Sequence, residues 1–373
     1  MKIGIVCYPT FGGSGAVATE LAQTLARRGH EVHLISYAPP FRLREFRTNL
    51  HFHAVEVSAY PLFRYPPYDL ALASKIVEVA LETGLDLLHA HYALPHAISA
   101  YLARQMLPAK RIRLVTTLHG TDITLVGLEK AYYEITRFGI WESDGVTVVS
   151  EWLRRETERI FEVGREMRVI PNFVDTERFT PDGDTTFRAR LAEPGEKLIV
   201  HASNFRPVKR VPDVIRVFAQ IHREIPSRLV LVGDGPELPR AAELAAELDV
   251  RSQVVFTGQQ AALETLLKVS DLFLLPSEFE SFGLSALEAL SCGVPVISTD
   301  TGGTAEVVEK GVTGFLAEVG DTDGMADFAI SLLGDPEKHR IFREAARTSV
   351  LERFREEDVV TRYERFYEEL VGA

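Results

Sequence analysis

The chain has 373 residues, enough for two domains at ~100–200 residues each, and its 46% hydrophobic and 25% charged content is that of a globular protein, which argues against a disordered or membrane-embedded one. A net charge of −12 repels phosphodiester backbones and excludes nucleic acid as a partner. The charge is uneven: residues 1–168 carry 19 Lys+Arg against 18 Asp+Glu and the remainder 22 against 35, so the near-neutral first half is compatible with an anionic ligand without requiring one.

Cys7 and Cys292 are the only cysteines, each in an apolar or strand-like setting, as expected of buried thiols in a reducing compartment. Neither a zinc pattern nor a disulfide framework is present. Met1 leads directly into a strand with no leader-like segment, and no apolar run approaches the ~18 residues of a membrane helix. The expectation is a cytoplasmic protein with no stable membrane association.

Lys2–Cys7 reads as a first strand, followed by the loop Tyr8 to Gly15 and a helix from about Ala16 to Arg28 closed by Gly29. Strand, glycine loop and helix open a Rossmann-like unit in which Gly13 and Ser14 are the loop's best ligand candidates. The loop is not GxGxxG, and no acid ends the next strand (Glu31 to Tyr37) to grip an NAD ribose, so a dehydrogenase is disfavoured. Residues 38–70 carry Arg42, Arg44, Arg47 and Arg64 among aromatics and prolines. The ordinary reading is a solvated loop; a second lets one of these guanidinium forks meet an anionic acceptor.

Ile76 to Leu81 continues a helix, and the strand beginning at Leu85 ends in a polar turn containing His89, His91, Tyr92, Pro95 and His96. Three histidines suggest metal, but without an acid or cysteine at ligand spacing that reading fails. Arg113–Thr117 is a strand leading into Leu118-His119-Gly120-Thr121-Asp122, Val146–Ser150 another, and Glu151–Phe161 a charged helix with a solvated face.

The domain boundary is expected near Val169 to Asp175, giving residues 1–168 as an N-terminal domain, completed by a C-terminal helix at about 355–373, and 169–354 as a C-terminal domain. The second domain opens with the strand Lys197–Ala202, after which Arg206 and Lys209 precede a helix at about Pro212 to Ile225. Both cations therefore stand at the ligand edge of a sheet. Strands at Arg228–Val232 and Val254–Phe256 end in Gly233-Asp234-Gly235-Pro236 and Thr257-Gly258-Gln259-Gln260. The apolar run Leu272 to Leu275, the turn Glu280 to Gly283 and the helix Leu284 to Leu290 put a strand-to-helix turn where free backbone N–H groups suit phosphate oxygens. Glu280 and Glu288 frame that turn, and carboxylates accept bidentate hydrogen bonds from neighbouring hydroxyls. Val294 to Ser298 then leads to Asp300-Thr301-Gly302-Gly303-Thr304-Ala305-Glu306.

The alternation makes this an α/β chain of two Rossmann-like, doubly wound domains facing across a cleft. The spacing Glu280 to Glu288 with Ser281-Phe282-Gly283-Leu284 between, together with Cys-Gly-Val-Pro-Val, Ile-Pro-Asn-x-Val-Asp and Gly-Gly-x-x-Glu, resembles the family-4 retaining glycosyltransferases of the GT-B fold. The resemblance covers nearly the whole length and is densest at 204–210 and 276–308. It implies that the first domain holds the acceptor and the second the nucleotide-sugar donor, with Arg206 and Lys209 neutralising the donor diphosphate, Glu280 holding the donor sugar and His119 its primary hydroxyl. It also implies that Glu288 binds the ribose, that Ser281, Phe282, Gly283 and Leu284 offer backbone N–H groups, that Gly13 borders the diphosphate, and that Gly258 and Gln259 approach the base.

His-Tyr-Ala-Leu-Pro-His at 91–96 is similar to the branch of that family that moves N-acetylglucosamine from UDP-N-acetylglucosamine to the hydroxyl of L-malate, opening bacillithiol biosynthesis. On that resemblance Ser14, Tyr92, Thr117 and Thr121 face the acceptor, although simple wall packing accounts equally for Tyr92. No cofactor and no metal are implied, since no Asp-x-Asp pair ends a strand and the cations take the metal's electrostatic place. A homodimer is left open. The rival readings are a family-4 enzyme with a polysaccharide or lipid-linked acceptor and a non-catalytic nucleotide-sugar-binding protein.

Overall fold

The computed structural model describes residues 1–10, 12–58, 61–107 and 112–372, and divides into two units: Met1–Asn172 with Glu357–Ala373, and Phe173–Glu356. In the first unit, β1 (Lys2–Val6), β2 (Glu31–Ser36), β3 (Leu50–Ala54), β4 (Leu87–His91), β5 (Arg113–Leu118), β6 (Gly145–Val148) and β7 (Arg168–Val169) form one sheet in the order β3-β2-β1-β4-β5-β6-β7. The second unit holds β8 (Lys197–Ala202), β9 (Ser227–Val232), β10 (Val254–Phe256), β11 (Leu272–Leu275), β12 (Val296–Thr299) and β13 (Gly314–Ala317) in the order β10-β9-β8-β11-β12-β13. Every ladder is parallel. Central strands such as β11 are buried at every position, as parallel strands covered by helices on both faces must be, which explains why they read as unbroken apolar runs.

In each sheet the strand order reverses once, between β1 and β4 and between β8 and β11. Such switch points open a crevice at the carboxyl ends of the two strands, the usual ligand position in an open α/β sheet. The residues following β1 and β4 include Gly13, Ser14 and Tyr92; those following β8 and β11 include Arg206, Lys209 and Glu280.

Several sequence expectations are corrected. The units divide after Asn172, inside the expected window of Val169 to Asp175, but ending the first domain at 168 would cut β7, whose pairing with β6 keeps Arg168 and Val169 in the first sheet. The returning C-terminal segment joins the first unit at Glu357, two residues later than expected. Residues 38–70 are not one loop. Leu50–Ala54 forms the edge strand β3, and the helix that holds Ile76 to Leu81 begins inside that stretch at Tyr68 and runs to Thr83. The first helix runs Gly13–Arg27, which moves Gly13 and Ser14 from the loop into its first turn; Phe11, also in that loop, lies outside the described residues, as does Ala373 at the chain's end.

Arg42 is buried and faces Glu20 at 3.4 Å, while Arg47 pairs with Glu45 at 2.6 Å, so internal partners already engage both of these loop arginines. The last helix, Glu356–Gly372, is locked to the first sheet by a buried polar chain: Tyr367 Oη meets His89 Nδ1 at 2.7 Å, and His89 Nε2 meets Thr117 Oγ1 at 2.6 Å. Among the described residues, no helix is long and apolar enough to cross a membrane.

Candidate active site

The second unit's switch point is built from two loops laid side by side. After β8 the chain makes a short 3₁₀ turn, Pro207–Lys209, led by Arg206 in extended conformation and closed by Arg210 at φ 50°. After β11 the loop runs beside it, and the Glu278 N–H donates to the Val208 carbonyl at 2.8 Å. That bond brings the two expected residues together: Lys209 Nζ donates to Glu280 Oε1 at 2.7 Å, and Ser277 Oγ donates to the same oxygen at 2.8 Å. Arg206 is exposed and has no side-chain hydrogen bond or ion pair among the described residues. One cation is thus tethered and the other available.

A third loop supports Glu280 from behind. The Gly303 N–H donates to the Glu280 carbonyl at 2.8 Å, and Gly302 lies so close that a Cβ there would stand 1.8 Å from that carbonyl oxygen. The Gly-Gly pair after β12 therefore sets the position of a carboxylate more than twenty residues earlier. The motif match picks out this pair without saying what it does. Ser277, three residues before Glu280, carries no signal in its residue type beyond its place in the loop.

Gly283 caps the helix Leu284–Ser291 at φ 94° and has no side chain to occupy the first-turn N–H groups. Those groups carry the positive end of the helix dipole. Ser281 and Leu284 are half-buried on this turn, but the Phe282 side chain is not a ligand contact: it is 2% exposed and packs edge-on against Phe354 at 5.7 Å. Only its backbone fits the expected role. Glu288 lies in the same helix, 2% exposed. The turn carrying Gly258 and Gln259 is joined to the turn after β9 by the Gly233 N–H donating to the Gly258 carbonyl at 2.9 Å, and Gln259 is exposed.

In the first unit, Gly12 caps the helix Gly13–Arg27 without a side-chain bond, and a Cβ on Gly15 would stand 2.6 Å from the Tyr8 carbonyl oxygen. Glycine is what lets this helix start against the end of β1. Gly13 is exposed and Ser14 half-buried beside it. Tyr92, at φ 98°, joins an aromatic wall, with Tyr8 at 5.5 Å and His119 at 5.4 Å between ring centroids. His119 Nε2 meets His91 Nδ1 at 3.0 Å.

Asp122 belongs to the His119 motif, and its residue type there announces no function. It is 1% exposed and accepts from the His119 and Gly120 N–H groups at 3.1 and 2.9 Å and from the Ala93 N–H at 3.1 Å, so one carboxylate holds the turns after β4 and β5 in place. Thr121 starts the short helical turn beside it and is half-buried. Thr117 is a correction. It is 0% exposed, and its hydroxyl meets His89 and Thr147, at 2.6 Å each, so it belongs to the core chain that seats the last helix and not to an acceptor surface.

The histidines here are neutral at physiological pH. Burial pulls His89 and His119 down to about 3, and His96 and His201 down to about 4. Each is a group whose folded value lies below the unfolded one, so its contribution is intact above about 6.5 and declines as the pH falls toward 3–4, by roughly 1.4 kcal/mol per pH unit per histidine. Asp122, raised by burial to about 6, has the opposite slope between about 4 and 6 and offsets one of them. The melting temperature, followed by calorimetry, should therefore drop steeply on acidification from pH 6.5 to pH 4. A flat profile would contradict the burial of these rings.

Two family models together span most of the chain: "Glycosyltransferase Family 4" over residues 11–178 and "Glycosyl transferases group 1" over 183–349. The chain is 50% identical over 98% of its length to the N-acetyl-alpha-D-glucosaminyl L-malate synthase of Bacillus anthracis, covering 96% of that protein. It is 31% identical over 75% of its length to a GDP-mannose-dependent alpha-(1-6)-phosphatidylinositol monomannoside mannosyltransferase of Mycolicibacterium smegmatis, covering 77% of that protein. Among solved structures, sucrose-phosphate synthase from Thermosynechococcus elongatus aligns with a TM-score of 0.83 at 22% identity, over 100% of this chain and 99% of that one. HepE of Anabaena, solved in complex with UDP-glucose, aligns at 0.79 and 24% identity over 100% of both chains.

Proposed function

This chain belongs to the family-4 glycosyltransferases, and on that premise we propose that it transfers N-acetylglucosamine from UDP-N-acetylglucosamine to the hydroxyl of L-malate with retention of anomeric configuration, the first step of bacillithiol biosynthesis. The near full-length likeness to an N-acetylglucosaminyl malate synthase is the observation that carries this reading. The mannosyltransferase relative depends on GDP-mannose and acts on a phosphatidylinositol monomannoside, and its likeness to this chain is the weaker of the two.

The charge arrangement supports the chemistry. As UDP departs, negative charge builds on the phosphate oxygens, and fixed donors aimed there stabilise the transition state. Arg206 and Lys209 take that role, with the first-turn N–H groups after Gly283 adding to it. Glu280 orients the sugar and Glu288 accepts from the ribose hydroxyls. The malate hydroxyl attacks from the face that UDP leaves, and the departing phosphate takes its proton. Ser14, Tyr92 and Thr121 serve the acceptor, Gly13 borders the diphosphate, and neutral His119 accepts or donates one hydrogen bond at the sugar's primary hydroxyl. No metal or cofactor enters this scheme. We place the reaction in the cytoplasm, and a homodimer, if formed, is read by sedimentation.

Incubation with UDP-N-acetylglucosamine and a panel of hydroxy acids and sugars tests the assignment. Malate should give a product of the expected mass with an α-anomeric linkage, and a different preferred acceptor would redirect it. Glu288→Ala should weaken UDP binding by roughly tenfold or more through loss of a charge-assisted pair of hydrogen bonds. Unchanged affinity by calorimetry would remove Glu288 from the ribose.

A further inference from the structure

Away from the β1–β4 switch point, the edge strand of the first sheet and its neighbour gather histidines. Glu31 and His33 alternate along β2, His51 and His53 along β3, and the parallel register sets His33 opposite His51 and Ile35 opposite His53. Residues two apart on a strand share a face, so all four side chains emerge on one side of the sheet. His33 Nε2 meets Glu31 Oε1 at 3.2 Å, and His33 Nδ1 meets His53 Nε2 at 3.0 Å. The His33 and His51 rings stack at 4.9 Å between centroids. One donor atom each of Glu31, His33 and His51 lies within 4.8 Å of the others.

We propose that Glu31, His33 and His51 form a binding site for a divalent transition-metal ion of the zinc class, with His53 as a positioning residue acting through His33. The donor set selects the ion: two imidazoles and a carboxylate suit zinc, cobalt or nickel, whereas magnesium and calcium prefer oxygen throughout. In a tetrahedral site with bonds of ~2.0–2.1 Å, donor atoms stand ~3.3 Å apart. The Glu31 to His33 separation is already close to that value, and His51 closes the remainder by side-chain rotation.

Tautomers are consistent with loading. Without metal, His33 Nε2–H donates to Glu31 and its Nδ1 accepts from His53. With metal on Nε2, the ring proton sits on Nδ1 and is donated to His53 Nε2, whose own proton moves to Nδ1, so neither imidazole changes charge. A ligating histidine that hands its second N–H to a neighbour is the usual arrangement of a metal centre. Burial and the nearby histidines hold His33 and His53 below the ordinary imidazole value, which keeps their lone pairs available. The competing charges are Lys2, 3.6 Å from Glu31, and Lys75, Glu78 and Glu82 of the helix Tyr68–Thr83 near His53, with Lys75 already paired to Glu78. The ion would cross-link the edge strand β3 to β2.

The test is titration of tag-free protein with Co²⁺, read by visible absorption, and with Zn²⁺ by calorimetry. One equivalent should bind, with the intense Co²⁺ bands of a four- or five-coordinate site. His51→Ala and Glu31→Gln, both at partly exposed positions and so expected to fold, should abolish that spectrum, and His53→Gln should retain it with roughly 10–100-fold weaker affinity. Absence of saturable binding, a six-coordinate aquo-like spectrum, or binding unchanged in His51→Ala would each overturn the site.

Discussion

Lys209→Ala should lower kcat by roughly 10²–10³-fold, about 3 kcal/mol of transition-state stabilisation, while leaving the fold intact. The tethering of Lys209 explains why one substitution does so much. The ammonium is held at 2.7 Å from Glu280, with its loop fastened through the bond from Glu278 to Val208, so its charge is fixed in advance at the carboxyl ends of β8 and β11. A preorganised charge costs no rearrangement when the leaving group develops its own, and that is where such groups act. The fold should survive, because Ser277 continues to hold Glu280 when the ammonium is removed. Single-turnover kinetics with a melting curve on the same sample check both halves. Wild-type turnover in the variant would remove Lys209 from the chemistry.

Gly302→Ala should impair both stability and turnover, for a reason that lies in the backbone. Gly302 has φ 60°, a conformation that costs an L-residue about 1–2 kcal/mol. Its added methyl would also collide with the Glu280 carbonyl oxygen. The loop carrying Glu280 must shift to make room, taking the carboxylate off the geometry that Lys209 and Ser277 define. We expect a loss of about 3 kcal/mol in stability and a fall in kcat of at least roughly tenfold. Gly311→Ala supplies the comparison: Gly311 has φ 79°, but a methyl added there would meet nothing within 4 Å, so that variant should lose only the conformational contribution and keep its turnover. Equal effects of the two substitutions on kcat would show that the contact with Glu280 is irrelevant.

The parts of the fold that could be read from the sequence are those where one physical demand dominates. Leu272 to Leu275 could be recognised because a strand covered on both faces must be apolar at every position, and the turn after it because Gly283 adopts φ 94° at a helix start. β3 escaped because Leu-His-Phe-His-Ala is a half-buried edge strand whose alternation includes two histidines, a pattern as consistent with a polar loop. β7 escaped because two residues carry no periodicity, and that alone put the end of the first domain at 168 and not at 172, although the expected boundary window holds both ends of the true division.

The candidate site divides in the same way. Placement at strand ends located Arg206, Lys209, Glu280 and His119, since connectivity puts strand-to-helix turns on one edge of each sheet. Which way a side chain points at the end of a strand is a different question. Thr117 turns into the core to meet His89, and Phe282 turns inward onto Phe354, and neither choice follows from spacing. The work of Asp122 was not legible because its three partners are backbone N–H groups from two separate turns, which leave no signature in residue type. The pairing of Lys209 with Glu280, 71 residues apart, is set by the adjacency of β8 and β11.

A crystal of the protein soaked with UDP-N-acetylglucosamine tests the central claim most directly. The account predicts diphosphate oxygens within hydrogen-bond reach of Arg206 and Lys209, ribose hydroxyls on Glu288 and the sugar against Glu280. A nucleotide bound elsewhere, with those four side chains unoccupied, would contradict it.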